Sequence, residues 1–184
     1  KTKTIFDSIH ANASRFQQHV QLALTSDDIH KIKQQGKRAI YLGVENGYPI
    51  GTDIDKVDSL YHWGARYLTL CHTKNNDICD SSTDKAGAEH NGLSPFGTEV
   101  INRLYRIGMI VDVSHISDSA FFQTLKITQT PILASHSNAR AICDNPRNLT
   151  DEMLLALQAN GGVVQVCLLG SYVKPEEPNP QRDS

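Results

Sequence analysis

The chain has 184 residues, of which 39% are hydrophobic and 21% are charged, and its formal net charge is −2 at pH 7. This length and composition predict one globular domain and argue against a disordered tail. The lysines and arginines are scattered, so no basic surface for a nucleic-acid partner is expected. No apolar run approaches the roughly 20 residues that span a bilayer, and no transmembrane segment is expected in this chain.

The chain opens on Lys1-Thr-Lys-Thr, without an initiator methionine or the apolar core of a signal peptide, as an internal segment of a longer protein would. Its compartment is therefore not predicted. Four cysteines lie far apart with no C-x-x-C pair: Cys71, Cys79, Cys143 and Cys167. This spacing disfavours both a zinc knuckle and a disulfide scaffold, and predicts four reduced, partly buried thiols.

The first 36 residues carry apolar side chains that we interpret as one or two helices. The residues behind this prediction are Val20, Leu22, Leu24, Ile29 and Ile32. The polar run 25–28 resembles a helix N-cap, because its side-chain oxygens can accept hydrogen bonds from free amides. Gly36 is a plausible end for that helix.

From residue 38 onwards, apolar runs of strand length alternate with helical patterns. The predicted strands are 38–45, 65–71, 108–114, 130–135 and 161–168, and the predicted helices are 53–64, 96–107, 117–127 and 150–159. Continuous apolar runs, rather than alternating apolar and polar residues, indicate strands that are covered on both faces and therefore a parallel sheet. The predicted fold class is α/β, with a parallel sheet built from about five βα units in residues 1–173. Residues 174–184 are interpreted as a tail or truncated loop.

Four polar residues each follow a predicted strand: Glu45, His72, His115 and His136. In a β/α barrel the carboxyl ends of all strands open on one face, so these side chains should converge. Imidazole nitrogens and a carboxylate suit Zn²⁺, and three protein ligands leave a position open for water. A single histidine at a strand end is usually an ordinary loop residue, but three with a glutamate in register favour a metal site.

Other polar residues have more than one interpretation. His10, His19, His30, His62 and His90 lie in helices or loops and are interpreted as solvated or capping residues. Asp112 lies inside a strand and must be paired, either as a partner that orients a ligand histidine or in a salt bridge with a helix. Arg147 could hold a substrate carboxylate, although an arginine in a polar loop is usually only a surface residue.

The residues at these strand ends, together with their neighbours, resemble the zinc-dependent membrane (renal) dipeptidase family between roughly residues 20 and 173. The motifs that carry the resemblance are Gly43-Val-Glu45-Asn-Gly, Arg66-Tyr-Leu-Thr-Leu-Cys-His72, Gly92-Leu-Ser-Pro-Phe-Gly97, Asp112-Val-Ser-His115, Ser135-His-Ser-Asn138 and Pro146-Arg-Asn148. Each motif is weak alone, whereas their order and spacing together are specific.

The resemblance implies a dipeptidase with two zinc ions on a (β/α)8 TIM-barrel-like metallohydrolase fold, of which this chain holds an incomplete part. Glu45 matches the carboxylate that bridges the two ions, and His115 and His136 match the histidines that complete one site. His72 matches a histidine that contacts the substrate near the scissile bond, so Glu45 and His72 are the expected catalytic residues. Arg147 matches the arginine that binds the C-terminal carboxylate of the dipeptide. A metal-bridging hydroxide would attack the peptide carbonyl, and a homodimer is also implied.

The sequence departs from the family at the first strand, which should end in a His-x-Asp pair. The nearest candidate, Ser8-Ile-His10-Ala-Asn12, has asparagine in place of aspartate and lies too close to the Glu45 strand. A later family aspartate would fall beyond Ser184. At most one complete zinc site is therefore expected here, and the chain alone should have little or no activity.

Two other functions fit the same residues. One is a metal-dependent amidohydrolase or phosphoesterase on the same type of barrel. The other is a non-catalytic barrel module that has lost its metals, for which the missing His-x-Asp pair is the main support.

Overall fold

The computed structural model describes residues 1–174, so the tail predicted at 174–184 lies outside the described residues except for Lys174. The strands are β1 (Val20–Leu22), β2 (Arg38–Ile40), β3 (Leu42–Glu45), β4 (Ala65–Thr69), β5 (Ile110–Asp112), β6 (Leu133–Ala134) and β7 (Val163–Val164). The helices are α1 (Thr2–Arg15), α2 (Ser26–Gln34), α3 (Asp55–His62), α4 (Pro95–Ile107), α5 (Asp118–Ile127), α6 (Asp151–Asn160) and α7 (Gly170–Val173), with a 3₁₀ turn at Tyr48–Ile50.

Five strands form one parallel sheet in the order β3-β4-β5-β6-β7, and β1 pairs in parallel with β2. Only Tyr41 separates β2 from β3, so together they cover the strand predicted at 38–45. Strand order follows chain order, and a helix lies between successive strands from β3 to β7. This is the arrangement of consecutive βα units, and the predicted α/β barrel-like fold is confirmed.

The helices α3 to α6 pack against one face of this sheet. Helix α3 contacts β4, α4 contacts β5, and neighbouring helices contact each other in sequence. In α4, the side chains of Val100, Ile101 and Leu104 are fully buried, and each contributes roughly 1.5–3 kcal/mol to stability. Ser94 caps the start of α4, and Gly108 ends the helix in a left-handed conformation.

The helical interpretation of residues 20–24 is wrong. Val20–Leu22 is the strand β1, whose backbone pairs with Arg38–Ile40. Val20, Leu22 and Leu24 recur at every second residue, which is the period of a strand rather than of a helix. The rest of the prediction for this region is confirmed: α1 and α2 form, Thr25 caps α2 in a capping box, and α2 ends just before Gly36, which has a φ of 73°.

The four cysteines are free thiols, as predicted. Cys71, Cys79 and Cys143 are buried and Cys167 is partly buried. Burial raises the pKa of Cys79 well above its ordinary value, and the neighbouring Cys71 raises it further, so this thiol is protonated at neutral pH. Within residues 1–174, no helix has the length and apolar content needed to cross a membrane.

Candidate metal centre

Four strand-end residues meet at the carboxyl edge of the sheet. Glu45 is the last residue of β3, while His72, His115 and His136 follow β4, β5 and β6 by two or three residues. Because these four strands are parallel and adjacent, their carboxyl ends bring the side chains to one place. The convergence predicted from the sequence is what the structure shows.

The distances define a tight triangle of potential ligand atoms. Glu45 Oε1 lies 3.1 Å from His115 Nε2 and 3.1 Å from His136 Nε2. The two histidine nitrogens are 2.8 Å apart. His72 Nε2 is farther from the same carboxylate oxygen, at 3.7 Å, and its ring lies against that of His115 with a centroid separation of 4.2 Å.

This donor set fits zinc. Three atoms at these separations can all reach one ion at the usual zinc distances of about 2.0–2.2 Å. Glu45, His72 and His115 also place ligand atoms within 4.8 Å of one another, but the distances to His136 are shorter. The geometry therefore favours His136 over His72 as the third ligand, and leaves His72 beside the triangle.

The four side chains differ in their access to solvent. His115 is 4% exposed at the base of the cluster, whereas the side chains of His72 and Glu45 are 43% and 51% exposed. Burial, followed by the charge of Arg147 and the neighbouring His72 and His136, lowers the pKa of His115 to about 2. His115 is thus a neutral imidazole at pH 7, which is the form that binds a metal.

Asp112 lies beneath the cluster and is fully buried. Its Oδ2 accepts hydrogen bonds from the hydroxyls of Thr69 and Ser135, both at 2.5 Å. Its Oδ1 accepts from the backbone amides of Ser114 and Ser135, at 3.1 and 2.9 Å. Ser135 in turn contacts His136 Nδ1 at 2.7 Å. These contacts link Asp112 to His136 through Ser135, so the carboxylate is paired towards a strand-end histidine.

Arg147 is held close to the cluster and is 4% exposed. Its Nη2 donates to the carbonyl of His136 at 3.3 Å, and its guanidinium lies over the ring of Tyr172 at 5.3 Å. Within residues 1–174, its Nε has no hydrogen-bond partner. A buried donor without a partner is costly, and an acceptor from a bound molecule would satisfy it.

The segment Ser8–Asn12 takes no part in this site. It lies in α1, where His10 Nε2 bonds to the carbonyl of Trp63 at 2.8 Å. Trp63 precedes β4, so His10 lies at the amino end of the strands, opposite Glu45. His62 and His90 bond to the carbonyls of Asp58 and Asn76, as expected for histidines outside the site.

Thr69 and Ser135 were not identified from the sequence as parts of the site. Thr69 pairs in register with Glu45 on one side and with Asp112 on the other. The face of the sheet on which each of these side chains lies could be predicted, because alternate residues of a strand point to the same face. However, the register that makes these residues neighbours cannot be read from one strand alone.

A parallel β/α sheet that carries a histidine and carboxylate cluster at its carboxyl edge is an arrangement typical of barrel metallohydrolases. Residues 1–183 match the family model described as membrane dipeptidase, peptidase family M19. The chain belongs to this family.

Individual relatives agree with this assignment. The chain is 36% identical to Dipeptidase verJ of Clonostachys rogersoniana, over 94% of this chain and 44% of that protein. It is 37% identical to Dipeptidase 3 of Mus musculus, over 81% of this chain and 30% of that protein. The crystal structure of the probable dipeptidase PvdM from Pseudomonas aeruginosa superposes with a TM-score of 0.90 at 32% identity, covering 94% of this chain and 44% of the other. The chain thus spans less than half the length of these relatives.

Proposed function

We propose that the full-length protein hydrolyses the peptide bond of dipeptides with zinc ions held at the carboxyl edge of the sheet. The observation that carries this proposal is the convergence of Glu45, His115 and His136 within 3.1 Å of one another. Family membership and relatives named as dipeptidases support the reaction class.

In this proposal Glu45, His115 and His136 would hold one metal ion, and the Glu45 carboxylate would also be available to a second ion. When bound, zinc activates a water molecule and polarises the scissile carbonyl. Because burial lowers the pKa of His115 to about 2, its ring is neutral at pH 7, which is the charge state that binds a metal.

His72 and Arg147 are the proposed substrate contacts. The ring of His72 lies on the solvent-exposed side of the triangle, 3.7 Å from Glu45, where it can donate a hydrogen bond to the oxygen of the reacting carbonyl. Within the described residues, Arg147 Nε has no hydrogen-bond partner, and a substrate carboxylate could accept a hydrogen bond from this fixed donor. A dipeptide whose carboxylate is held by Arg147 would present its peptide bond to the cluster.

The test is hydrolysis by the zinc-loaded full-length protein of a dipeptide panel, an N-acyl amide and a phosphomonoester. We expect turnover of dipeptides that is abolished in Glu45→Gln and retained in Glu99→Gln, a matched change on the exposed face of α4. Turnover of only the phosphomonoester or only the amide would contradict dipeptide hydrolysis and would indicate a phosphoesterase or an amidohydrolase, respectively. Zinc binding without any turnover, or no zinc binding, would support a non-catalytic module.

A further inference from the structure

We infer that Asp112 is a positioning residue that acts through Ser135 to fix the orientation and tautomer of His136. The inference rests on the metal centre in the proposed function, but it does not depend on peptide hydrolysis. It assigns roles to two side chains outside the ligand triangle: Ser135 contacts the ring of His136 at Nδ1, and Asp112 reaches that ring through Ser135.

The contacts form a continuous chain from the centre of the sheet to the ligand. Asp112 Oδ2 lies 2.5 Å from Ser135 Oγ, and Ser135 Oγ lies 2.7 Å from His136 Nδ1. At the other side of the same ring, His136 Nε2 faces Glu45 at 3.1 Å. One imidazole therefore joins the hydrogen-bond chain through one nitrogen and the ligand triangle through the other.

The direction of the hydrogen bonds determines the tautomer. Ser135 has one hydroxyl hydrogen, and at 2.5 Å from a carboxylate oxygen it must point to Asp112. The Ser135 oxygen is then an acceptor towards His136, so the hydrogen between them belongs to Nδ1. With Nδ1 protonated, the lone pair of the neutral ring is on Nε2, where a metal would bind.

Asp112 is itself held in place by neighbouring strands. Thr69, in β4, donates to the same oxygen as Ser135, and two backbone amides donate to the other oxygen. All four contacts are donors, so the carboxylate has no freedom to rotate without losing one of them. A rigid acceptor of this kind transfers its orientation to Ser135 and from there to the ring.

His115 lacks an equivalent support. Its Nδ1 is buried and has no hydrogen-bond partner within residues 1–174. Its position follows from a left-handed backbone, with φ of 75°, and from its contacts with the rings of His72 and His136. The hydrogen-bond chain is therefore specific to His136, which allows an experiment to separate the two histidines.

The experiment measures how tightly the full-length protein binds zinc, by competition with a chromophoric chelator. The relevant Kd is that of the zinc ion whose binding is lost in His136→Ala. Ser135→Ala and Asp112→Asn are each expected to weaken zinc binding about 10- to 100-fold, the usual range when such a supporting contact is removed. Ser135→Thr keeps the hydroxyl and should restore the affinity. Asp58→Asn is the matched control: it makes the same chemical change at an ion pair with Arg103 between α3 and α4, and should leave the Kd unchanged.

A double-mutant comparison separates positioning from a general loss of structure. If Asp112 acts through Ser135, adding Asp112→Asn to Ser135→Ala should weaken zinc binding little further. Additive losses, or Ser135→Ala with the Kd of the wild type, would overturn the inference. Dipeptide turnover with an unchanged Kd in Ser135→Ala would contradict only this inference. The expected Kd pattern without turnover would contradict only the proposed function.

Discussion

His115 combines a left-handed backbone with a buried, neutral ring. A φ of 75° is unfavourable for a residue with a side chain, at about 1–3 kcal/mol, and burial removes the ring from water. Both features place Nε2 at the base of the cluster, 3.1 Å from Glu45. Strain of this kind persists where the surrounding structure enforces it, and here it coincides with the proposed metal ligands.

Arg147 gives a direct test of how the substrate is oriented. Arg147→Met should lower kcat/KM for a dipeptide by about 30-fold or more, because losing one partner of a buried charge pair costs about 2–5 kcal/mol. A dipeptide amide, which has no C-terminal carboxylate, should be affected much less. Steady-state kinetics on the two substrates measures the difference.

Arg140→Met is the control for this variant. Arg140 lies in the same segment, but its guanidinium is already bound by the carboxylate of Asp118, at 2.7 Å. It should not change the ratio of kcat/KM between the two substrates. Equal losses for the dipeptide and its amide in Arg147→Met would contradict carboxylate binding.

Among the elements, the long connection between β4 and α4 is ordered by two aspartates. Asp80 accepts hydrogen bonds from the amides of Glu89, His90 and Gly92. Asp84 accepts from the amides of Ala86 and Asn75 and from the Lys74 ammonium. These bonds close the connection on itself directly after His72.

The Asp84 contacts predict a pH-dependent stability. Hydrogen bonds from the amides of Ala86 and Asn75, with that from Lys74, lower the pKa of Asp84 from 3.8 to about 2. A lowered pKa stabilises the folded state above pH 3.8, and this contribution is lost as the pH falls towards 2. Asn imitates the protonated acid, so Asp84→Asn should lower the Tm at pH 7 and approach the wild type near pH 2. A Tm difference that stays constant from pH 7 to 2 would refute this.

The start of α4 depends on a glycine for close packing. A Cβ at Gly97 would lie 2.1 Å from the carbonyl oxygen of Ile78. Helix propensity alone would favour alanine by about 1 kcal/mol, but overpacking typically costs about 1–3 kcal/mol. Gly97→Ala should therefore lower the free energy of unfolding, measured in urea. Glu99→Ala, an exposed change in the same helix, should have little effect, and an increase in stability for Gly97→Ala would show that the contact relaxes freely.

Element by element, the sequence predicts most of this fold. The apolar runs that end in Glu45, His72, His115 and His136 become adjacent parallel strands, because continuous burial and short length together indicate strands covered on both faces. The helical interpretation of residues 20–24 is wrong because three alternating apolar residues, Val20, Leu22 and Leu24, are too few to distinguish a strand from a helix. The hydrogen bonds from Thr69 and Ser135 to Asp112 depend on strand register, which single-strand patterns do not contain.

For the whole molecule, exposed apolar side chains lie beside β1, in the two-stranded sheet, and beyond β7, the last strand of the five-stranded sheet. Near β1, a groove is lined by Ile5, Ile9, Phe16 and Val20 together with polar residues of α1. Beyond β7, Val166 and Leu168 are largely exposed. An uncovered parallel sheet edge is unfavourable, and the relatives are more than twice as long as this chain. We expect these edges to be covered in the full-length protein.

We expect the 184 residues alone to hydrolyse dipeptides slowly or not at all. Within residues 1–174 the cluster supplies one ligand triangle, whereas the proposed reaction uses two metals. Comparing the turnover of this segment with that of the full-length protein tests the point. Equal turnover per molecule would mean that one site is sufficient.

Metal content per chain tests the central claim most directly. Elemental analysis of protein purified without a chelator should find bound zinc. His115→Ala and His136→Ala should each lose the ion that the Glu45, His115 and His136 triangle holds, while His62→Ala, outside the site, should retain it. Wild-type protein without metal, or an unchanged zinc content in His115→Ala, would contradict the assignment of this cluster as a metal centre.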